Sequence, residues 1–264
     1  MLLDEKLQRL KSIIRGTESV VIAFSGGVDS SLVCAVAHEV LGERAVAVTA
    51  ISQTYPPGEV DWAKKAAEHI GIRHITIVTN ELENPNFVAN SPERCYYCKG
   101  ELLRKLDEVR REFGFKKIFD GTNFNDFSDY RPGLRALREF GVISPLAEAG
   151  LTKEEVRELA IYYGLPNADK PANPCLASRV PFGREISTQK LERIARGEEF
   201  IRSLGFRVVR VRDYGELARV EVSKEELPHA QKLEGEIVEA LKGFGYEYAE
   251  VDPRGYRAGG ANLP

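Results

Sequence analysis

The sequence predicts a doubly wound α/β domain with a mostly parallel sheet, followed by a smaller α+β domain. Continuous apolar strands alternate with helical patterns that end at glycine, and strands of this kind are buried on both faces of a parallel sheet. From residue 188 onward the order changes to helix, strand, strand, helix, strand. Because ligands of doubly wound sheets bind beyond the carboxyl ends of the strands, we expect a binding site at that edge.

The elements of the first domain follow in βαβ order after one amphipathic helix. Glycines end three of the predicted helices, at Gly42, Gly71 and Gly114. The predicted elements are helix 3–15, strand 19–24, helix 32–41, strand 45–51, helix 58–70, strand 73–78, helix 98–113 and strand 117–120.

The alternating pattern stops near residue 141. A helix begins after Thr152, where Glu155 completes a capping box, and the stretch 166–183 is too polar and too rich in proline for a core. We therefore predict a first domain at 1–165, a cysteine-containing loop at 166–187 and a second domain at 188–264. The predicted elements of the second domain are helix 188–204, strands 206–212 and 217–222, helix 224–242 and strand 246–251.

The 264 residues have the composition of a folded globular protein, with 43% hydrophobic and 29% charged residues. The 37 Lys and Arg and 40 Asp and Glu give a net charge of −3, which favours neither a nucleic-acid nor a membrane surface. No apolar run approaches the ~20 residues of a spanning helix, and the first residues are too charged for a signal peptide. We therefore expect a cytoplasmic protein.

A glycine-rich turn, SGGVDSS at 25–31, lies between a predicted buried strand and a helix. Its glycines let backbone N–H groups close on an anion at the helix N-terminus, and the serine hydroxyls add donors. The turn matches neither the Walker pattern nor GxGxxG. It predicts a phosphate-binding loop, and the alternative is an ordinary strand–helix turn with capping serines.

The four cysteines suit metal binding or catalysis better than disulfides in a reducing compartment. Cys95 and Cys98 form a CxxC pair ahead of a helix, Cys175 lies in a loop, and Cys34 is predicted to be a core residue of an apolar helix. Three loop cysteines without an obvious fourth favour a 4Fe-4S cluster with one open iron. A zinc site completed by a histidine and a redox dithiol are the alternatives.

The turn at 25–31 resembles the PP-loop signature of ATP pyrophosphatases, which cleave ATP to AMP and pyrophosphate while they adenylate a substrate. Together with ERCYYCK at 93–99, DGTNFND at 120–126 and PCLASRVPFG at 174–183, it resembles the LarE family of sulfur transferases, which make the thiocarboxylates of the nickel-pincer nucleotide. The resemblance covers nearly the whole chain and extends to GYRAG at 255–259.

The resemblance implies that the first domain binds ATP and Mg²⁺. The residues implied for the ATP phosphates are Ser25, Gly26, Gly27, Asp29, Ser30 and Ser31, with Asp29 near the magnesium. Thr49 and Ala50 are implied to border adenine. Gly121 and Asn123 belong to a second nucleotide-contacting loop, for which a simple Asp-Gly turn is the alternative.

The implied reaction starts when a carboxylate of pyridinium-3,5-biscarboxylic acid mononucleotide attacks the α-phosphate of ATP and releases pyrophosphate. Sulfur on the open iron of a cluster held by Cys95, Cys98 and Cys175 then attacks the acyl-adenylate and expels AMP. In the alternative, Cys175 surrenders its own sulfur and becomes dehydroalanine, as in family members that carry only the matching cysteine. Family members assemble as oligomers, so we expect a homo-oligomer.

The second domain is expected to bind the substrate phosphate and to take part in oligomerisation. Arg210 and Arg212 alternate on a predicted strand and face one side, as two phosphate ligands would, with a solvated face as the alternative. Arg179 follows the loop cysteine and is a further candidate. Tyr97, beside Tyr96, is a candidate to stack on the pyridinium ring, with packing against the neighbouring helix as the alternative.

The resemblance also implies a role for one acidic residue, and three other functions are alternatives to sulfur transfer by a LarE-type enzyme. Glu221 matches a family position near bound metal. A tRNA thiolase also combines a PP-loop with three cysteines, but its RNA surface should be basic. An ammonia-using synthetase of the same superfamily would leave the three loop cysteines without a role, and a zinc-stabilised nucleotide sensor would bind ATP without releasing pyrophosphate.

Overall fold

The computed structural model describes residues 2–128, 132–257 and 260–262, and the chain folds as two compact units. Unit 1 comprises Met1–Ser52, Gly58–Asn80 and Cys95–Ala172. Unit 2 comprises Gln53–Pro57, Glu81–Arg94 and Asn173–Pro264. Two short segments of the N-terminal half therefore belong to the same unit as the loop that carries Cys175. The last two residues of the 255–259 motif lie outside the described residues.

Unit 1 contains a four-stranded sheet in which all neighbouring strands are parallel. Its strands are β1 (Val20–Ala23), β2 (Ala45–Ile51), β3 (Arg73–Val78) and β4 (Lys117–Phe119), in the order β3-β2-β1-β4. Successive β1 side chains enter two apolar cores: Val21 packs in one, level with Val46 and Ile118, and Ile22 packs in the other. The predicted doubly wound parallel sheet is confirmed.

Helices supply the rest of both cores. In chain order they are α1 (Leu3–Arg15), α2 (Val28–Leu41), α3 (Glu59–Ile70), α4 (Pro85–Val88), α5 (Arg94–Glu112), α6 (Gly133–Glu139), α7 (Pro145–Glu148), α8 (Lys153–Tyr162), α9 (Thr188–Ser203), α10 (Leu227–Lys232) and α11 (Glu234–Gly243). The core around Ile22 receives α1, α2, α3, α7 and α8, and the core around Val21 receives α5 and α6. In the part of the chain that is described, no helix combines the length and apolar character that a membrane span requires.

The structure corrects the predicted start of α5. Cys95 and Cys98 lie in the first turns of this helix and not ahead of it, because the helix begins at Arg94. The Arg94 N–H donates to the Ser91 carbonyl at 2.9 Å, which starts the helical turn before the cysteines. The two thiols are therefore three residues apart on a regular helix, a spacing that puts side chains on one face.

Two other helix boundaries also differ from the prediction. α2 begins at Val28, so Asp29 and the serines after it lie in its first turn. The predicted helix 224–242 consists of α10 and α11, which are separated at Leu233, where φ is −101° and ψ is 8°. The predicted capping box at the start of α8 is confirmed, since the Thr152 N–H donates to the Glu155 carboxylate at 2.8 Å and the Glu155 N–H to Thr152 Oγ1 at 3.3 Å.

Unit 2 contains a smaller sheet, as predicted. Its strands are β5 (Val209–Asp213), β6 (Leu217–Val222) and β7 (Tyr248–Val251), in the order β5-β6-β7. β5 and β6 are antiparallel and β6 and β7 are parallel, with Arg210 opposite Glu221. All five residues of β5 are buried, so its two arginines lie inside the unit and not on a solvated face.

Candidate functional site

Two loops meet at one edge of the sheet of unit 1. β1 leads into the turn at 25–31, which we call the phosphate loop, and the adjacent parallel strand β4 leads into the loop 120–123. The carboxyl ends of parallel neighbours lie at the same edge. β2 and β3 lie on one side of β1 and β4 on the other, so this edge is the topological switch point where doubly wound sheets bind ligands.

The phosphate loop is closed by hydrogen bonds among its own residues. Gly27 N–H donates to Ser25 Oγ at 3.3 Å, and Ser30 Oγ donates to the Gly27 carbonyl at 3.1 Å. Gly26 has φ of +70°, and a Cβ there would lie 2.9 Å from the Cα of Ala63. The loop therefore requires glycine at this position and delivers its chain directly into the N-terminus of α2, where backbone N–H groups favour an anion.

The buried side chain of Asn167 forms hydrogen bonds with the phosphate loop. Asn167 Nδ2 donates to the Gly26 carbonyl at 2.8 Å and to Ser31 Oγ at 2.7 Å. Its Oδ1 is buried and accepts no hydrogen bond within the described residues. Asn167 lies in the proline-rich stretch that the sequence assigned to a loop, and its spacing from the phosphate loop gives no sequence signal for this contact.

Asp29 joins three parts of unit 1. Its carboxylate accepts a hydrogen bond from Asn123 Nδ2 at 3.1 Å and forms an ion pair with the ammonium of Lys153. Asp29 lies on α2, Asn123 on the loop after β4, and Lys153 at the start of α8. Asp29 and Asn123, each implied separately to contact the nucleotide, are thus brought together. Lys153, which follows a capping threonine, was not singled out by the sequence.

The loop after β4 approaches the phosphate loop closely. A Cβ on Gly121 would lie 2.8 Å from the Ser30 nitrogen, a distance that side chains do not adopt. Asp120 is buried and shapes the loop, because it accepts hydrogen bonds from Ser144 Oγ at 2.7 Å and from the Thr122 N–H at 3.3 Å. Gly121 is therefore the residue that permits the two loops to touch.

Thr49 lies at the end of β2 with its side chain fully buried. Its hydroxyl donates to the Phe24 carbonyl at 2.8 Å and also lies 2.8 Å from His74 Nε2. Because the single hydroxyl proton goes to the carbonyl, His74 Nε2 carries a proton and donates to Thr49. Burial, followed by the charge of Lys64, lowers the pKa of His74 and favours the neutral ring. The adenine contacts of Thr49 and the half-buried Ala50 stay predictions.

The cysteines have different surroundings. Cys34 is buried in the core of unit 1, as predicted, and burial raises the pKa of its thiol. Cys95 is exposed and Cys98 half-buried on α5 in unit 1, while the half-buried Cys175 belongs to unit 2. Within residues 2–128, 132–257 and 260–262, no three His, Cys, Asp or Glu side chains are gathered as a metal-ligand group.

The two tyrosines between the cysteines also differ. Tyr96 donates its hydroxyl to the Glu139 carboxylate at 2.8 Å, and the Arg135 guanidinium lies 3.8 Å from the centre of its ring. Tyr97 is half-buried and contacts Tyr96 edge to face. Tyr96 is therefore tied to α6, and the predicted stacking of Tyr97 on a substrate ring stays a prediction.

Cys175 immediately precedes a short 3-10 turn, Leu176–Arg179, in unit 2. Arg179 is fully buried and forms a bidentate ion pair with the buried Glu198, at 2.7 Å and 2.9 Å. Burial alone would raise the pKa of Glu198, but the charge and hydrogen bond of Arg179 lower it below its usual range. The nitrogens of Arg179 are all bonded within unit 2, and its predicted contact with the substrate stays a prediction.

The two arginines of β5 lie on one face of the strand, as predicted. Arg212 forms an ion pair with Glu221 at 2.6 Å, and the Arg210 guanidinium lies 5.2 Å from the centre of the Tyr256 ring. Burial, followed by the positive charge of Arg179, lowers the pKa of Arg210 to about 10. The carboxylate of Glu221 is thus paired with Arg212, and its predicted contact with a metal stays a prediction.

Comparison with known proteins identifies the family. A family model described as asparagine synthase matches residues 7–92, which include the phosphate loop. An uncharacterised Synechocystis protein, slr1717, is 44% identical over 99% of this chain and 98% of its own length. The pyridinium-3,5-bisthiocarboxylic acid mononucleotide synthase of Lactiplantibacillus plantarum is 33% identical over 98% of this chain and 95% of its own length. The chain belongs to the LarE family.

This LarE-family chain is an ATP-dependent enzyme of the PP-loop type, as the sequence resemblance implied. A glutamine-hydrolysing GMP synthase component from Archaeoglobus fulgidus is 28% identical over 69% of this chain and 63% of its own length. The more distant similarity therefore covers only part of the chain, whereas the match to the L. plantarum synthase is nearly complete.

We predict that Gly121→Ala weakens ATP binding about tenfold or more, because the added Cβ overpacks against the Ser30 backbone and separates the two loops. Calorimetric titration with a non-hydrolysable ATP analogue measures the effect. Gly100→Ala on α5 is the control, since nothing lies within 4 Å of a Cβ added there. Equal affinities in the two variants would contradict the close approach of the loops.

We predict that Lys153→Met slows substrate-dependent exchange of pyrophosphate into ATP roughly 100-fold, because it removes a cation beside the phosphate loop. Lys153→Arg should retain part of the rate. The control is Lys105→Met, which removes a lysine paired with Glu108 at 2.9 Å on α5. A wild-type exchange rate in Lys153→Met would exclude a role for this ammonium.

Proposed function

We propose that the enzyme adenylates a carboxylate of pyridinium-3,5-biscarboxylic acid mononucleotide and converts it to a thiocarboxylate, in the biosynthesis of the nickel-pincer nucleotide. The observation that carries the proposal is the nearly full-length identity of 33% with the L. plantarum pyridinium-3,5-bisthiocarboxylic acid mononucleotide synthase. The net charge of −3 also favours a small substrate over RNA. As part of the same proposal, the enzyme works as a homo-oligomer.

The first half of the reaction uses the phosphate loop. A carboxylate oxygen of the substrate attacks the α-phosphorus of ATP, the bond to the β-phosphate oxygen breaks, and pyrophosphate leaves. Asp29 would hold Mg²⁺ there, because one carboxylate at the start of a helix suits an ion that takes its other ligands from phosphates and water. Bound Mg²⁺ would neutralise the charge of the leaving pyrophosphate. The protein's own contribution is to position the reactants.

The second half uses Cys175. Its thiol loses a proton to solvent, the thiolate attacks the carbonyl carbon of the acyl-adenylate, AMP leaves, and a thioester joins the substrate to the protein. A base from solvent then removes the Cα proton of Cys175 while the Cβ–S bond breaks. The electron pair of that bond stays on sulfur, which gives the thiocarboxylate and leaves dehydroalanine in the chain.

A 4Fe-4S cluster on Cys95, Cys98 and Cys175 is the other source of sulfur. The first two cysteines suit a shared metal, since they are three residues apart on α5. The third ligand, Cys175, belongs to unit 2, and the open iron of such a cluster would supply sulfur in place of Cys175. The two sources are separated by experiment below.

The substrate phosphate is assigned to the arginines of β5. Arg179, Arg210 and Arg212 are buried together with two carboxylates, those of Glu198 and Glu221, so the group has an excess of positive charge. Burial, followed by the positive charge of Arg179, lowers the pKa of Arg210, and an anion beside it would favour the charged guanidinium. A phosphate has the charge and the acceptor geometry that guanidinium groups bind best.

We predict that Cys175→Ala abolishes thiocarboxylate formation and keeps substrate-dependent ATP–pyrophosphate exchange, because only the second half of the reaction needs its sulfur. Cys34→Ala, which changes the buried cysteine of α2, is the control and should keep both activities. Thiocarboxylate formation by Cys175→Ala would overturn the assignment of this cysteine.

The sulfur source is identified by analysing the wild-type protein and the Cys95→Ala variant after purification without oxygen. About four iron and four acid-labile sulfide per chain, lost in Cys95→Ala, would establish the three-cysteine cluster. Absence of iron, together with a chain that loses the mass of H₂S after turnover, would establish Cys175 as a single-use donor. Mass spectrometry of the peptide containing Cys175 locates the change.

We predict that Arg210→Met raises the KM for the pyridinium mononucleotide roughly 10–100-fold and leaves the KM for ATP unchanged, because a charged hydrogen bond to phosphate is lost. Arg219→Met is the control, since Arg219 lies on β6 and pairs with Glu250 at 2.6 Å. If both variants change the KM for the mononucleotide equally, the phosphate is bound elsewhere.

A further inference from the structure

Three arginines bond the main chain around Cys175. Arg179 Nη1 donates to the carbonyls of Pro174 and Cys175, the latter at 3.1 Å. Arg94 Nη1 donates to the Ala177 carbonyl at 2.9 Å, and Arg212 Nη1 to the Ser178 carbonyl at 3.2 Å. Carbonyls on both sides of the cysteine are therefore bonded by charged side chains, all of them in unit 2.

Arg94 reaches this turn from the start of α5. It is buried, and the nitrogen that bonds Ala177 also donates to Asn90 Oδ1 at 2.6 Å. Its guanidinium lies 5.4 Å from the centre of the Phe182 ring. These three partners are all neutral. The position of Arg94 therefore depends on the geometry of its hydrogen bonds to Asn90 and Ala177.

Asn90, the partner of Arg94, contacts the main chain of the residues that follow the turn. It is fully buried, with φ of 52°, and its Nδ2 lies within hydrogen-bond distance of the carbonyls of Val180, Pro181 and Arg184, at 3.2, 2.8 and 2.9 Å. The Gly183 N–H in turn donates to the Asn90 carbonyl at 3.0 Å. The side chains of Arg94 and Asn90, which bond each other, thus contact main-chain carbonyls from residue 177 to residue 184.

Arg179 holds the other side of the turn. Its guanidinium bonds the Asn173 side chain at 3.1 Å as well as the carbonyls before the turn, and it is itself fixed by the buried Glu198. Main-chain hydrogen bonds also hold the turn: the Leu176 N–H donates to the Thr54 carbonyl, the Ser178 N–H to the Cys175 carbonyl and the Val180 N–H to the Ala177 carbonyl. The arginines add charged hydrogen bonds to the carbonyls of this short 3-10 segment and of the residue before it.

We propose that Arg94 and Arg179 are positioning residues that clamp the turn carrying Cys175, so that its sulfur is held where it reacts with the activated carboxylate. The inference rests on the proposed role of Cys175 in sulfur transfer. A displacement of about 1 Å in a reacting group can reduce a rate about 100-fold, which is why a fixed turn matters for this step. Neither arginine touches the reacting atoms in this assignment.

The first test compares two activities of Arg94→Ala. We expect thiocarboxylate formation to fall at least tenfold relative to ATP–pyrophosphate exchange, with the KM for ATP unchanged. Loss of folded protein would lower both activities equally, so the ratio separates positioning from stability. Arg94→Lys should recover part of the ratio, because an ammonium can still donate to the Ala177 carbonyl. Arg179→Lys tests the other side of the clamp in the same way.

Arg193→Ala is the matched control for this ratio. Arg193 also lies in unit 2 and bonds a carboxylate and two carbonyls, those of Asp213, Gly215 and Gly245, but none of them belongs to the Cys175 turn. We expect this variant to keep the wild-type ratio. A ratio in Arg94→Ala equal to that in Arg193→Ala would overturn the proposal.

The second test needs no activity and uses hydrogen exchange. The amides of Leu176, Ser178 and Val180 are bonded to the carbonyls of Thr54, Cys175 and Ala177. We expect these amides to exchange at least tenfold faster in Arg94→Ala, with unit 1 unchanged. Unchanged exchange would overturn the clamp. If the wild type forms no thiocarboxylate, the proposed function fails, and the exchange measurement still decides whether Arg94 holds the turn.

Discussion

The parallel pairing of β1 with β4 is the constraint on which the candidate ATP site depends. The two strands lie in register, with Ile22 opposite Phe119, so the chain leaves both at the same level of the sheet. The following loops then have to share a small space, and Gly121 is the residue that allows it. Asp29, Asn123 and Lys153 come together because of this topology, although they are far apart in the sequence.

Unit 2 is organised by buried charge rather than by apolar packing alone. Removing one partner of a buried ion pair costs about 3–5 kcal/mol, because the remaining charge is left without compensation. Loss of either Arg179 or Glu198 should therefore destabilise the structure around Cys175. Because Arg179 holds the pKa of Glu198 below its usual range, the stability that the pair contributes is present at neutral pH and is lost as the pH falls through that lowered pKa.

Much of the fold could be predicted from the sequence, since β2, β3 and β6 coincide with the predicted strands and Cys34 is a core residue. Local periodicity and glycine stops report these elements directly. The start of α5 could not be predicted in this way, because it depends on the Ser91 carbonyl and not on the apolar pattern.

The candidate site was predictable where it is continuous in sequence, as in the phosphate loop. Lys153 and Asn167 were missed, because each reaches its partner through tertiary structure and carries no motif of its own. Arg94 lies within the motif at 93–99, but that motif does not reveal its hydrogen bond to the Ala177 carbonyl. The arginines of β5 show a further limit: alternation predicts a shared face, but it does not distinguish a phosphate ligand from a partner of Glu221.

The division of the chain also has a consequence for the order of folding. All segments of unit 1 have been synthesised once Ala172 is made, whereas unit 2 needs the whole C-terminal third. The bonds that Asn90 and Arg94 make to the Cys175 region join residues 83 to 94 positions apart, and contacts of such separation form slowly because a long loop has to close first. Unit 1 can thus assemble on a nascent chain while Cys175 still lacks the residues that surround it. The thiol acquires its final surroundings among the last events of folding.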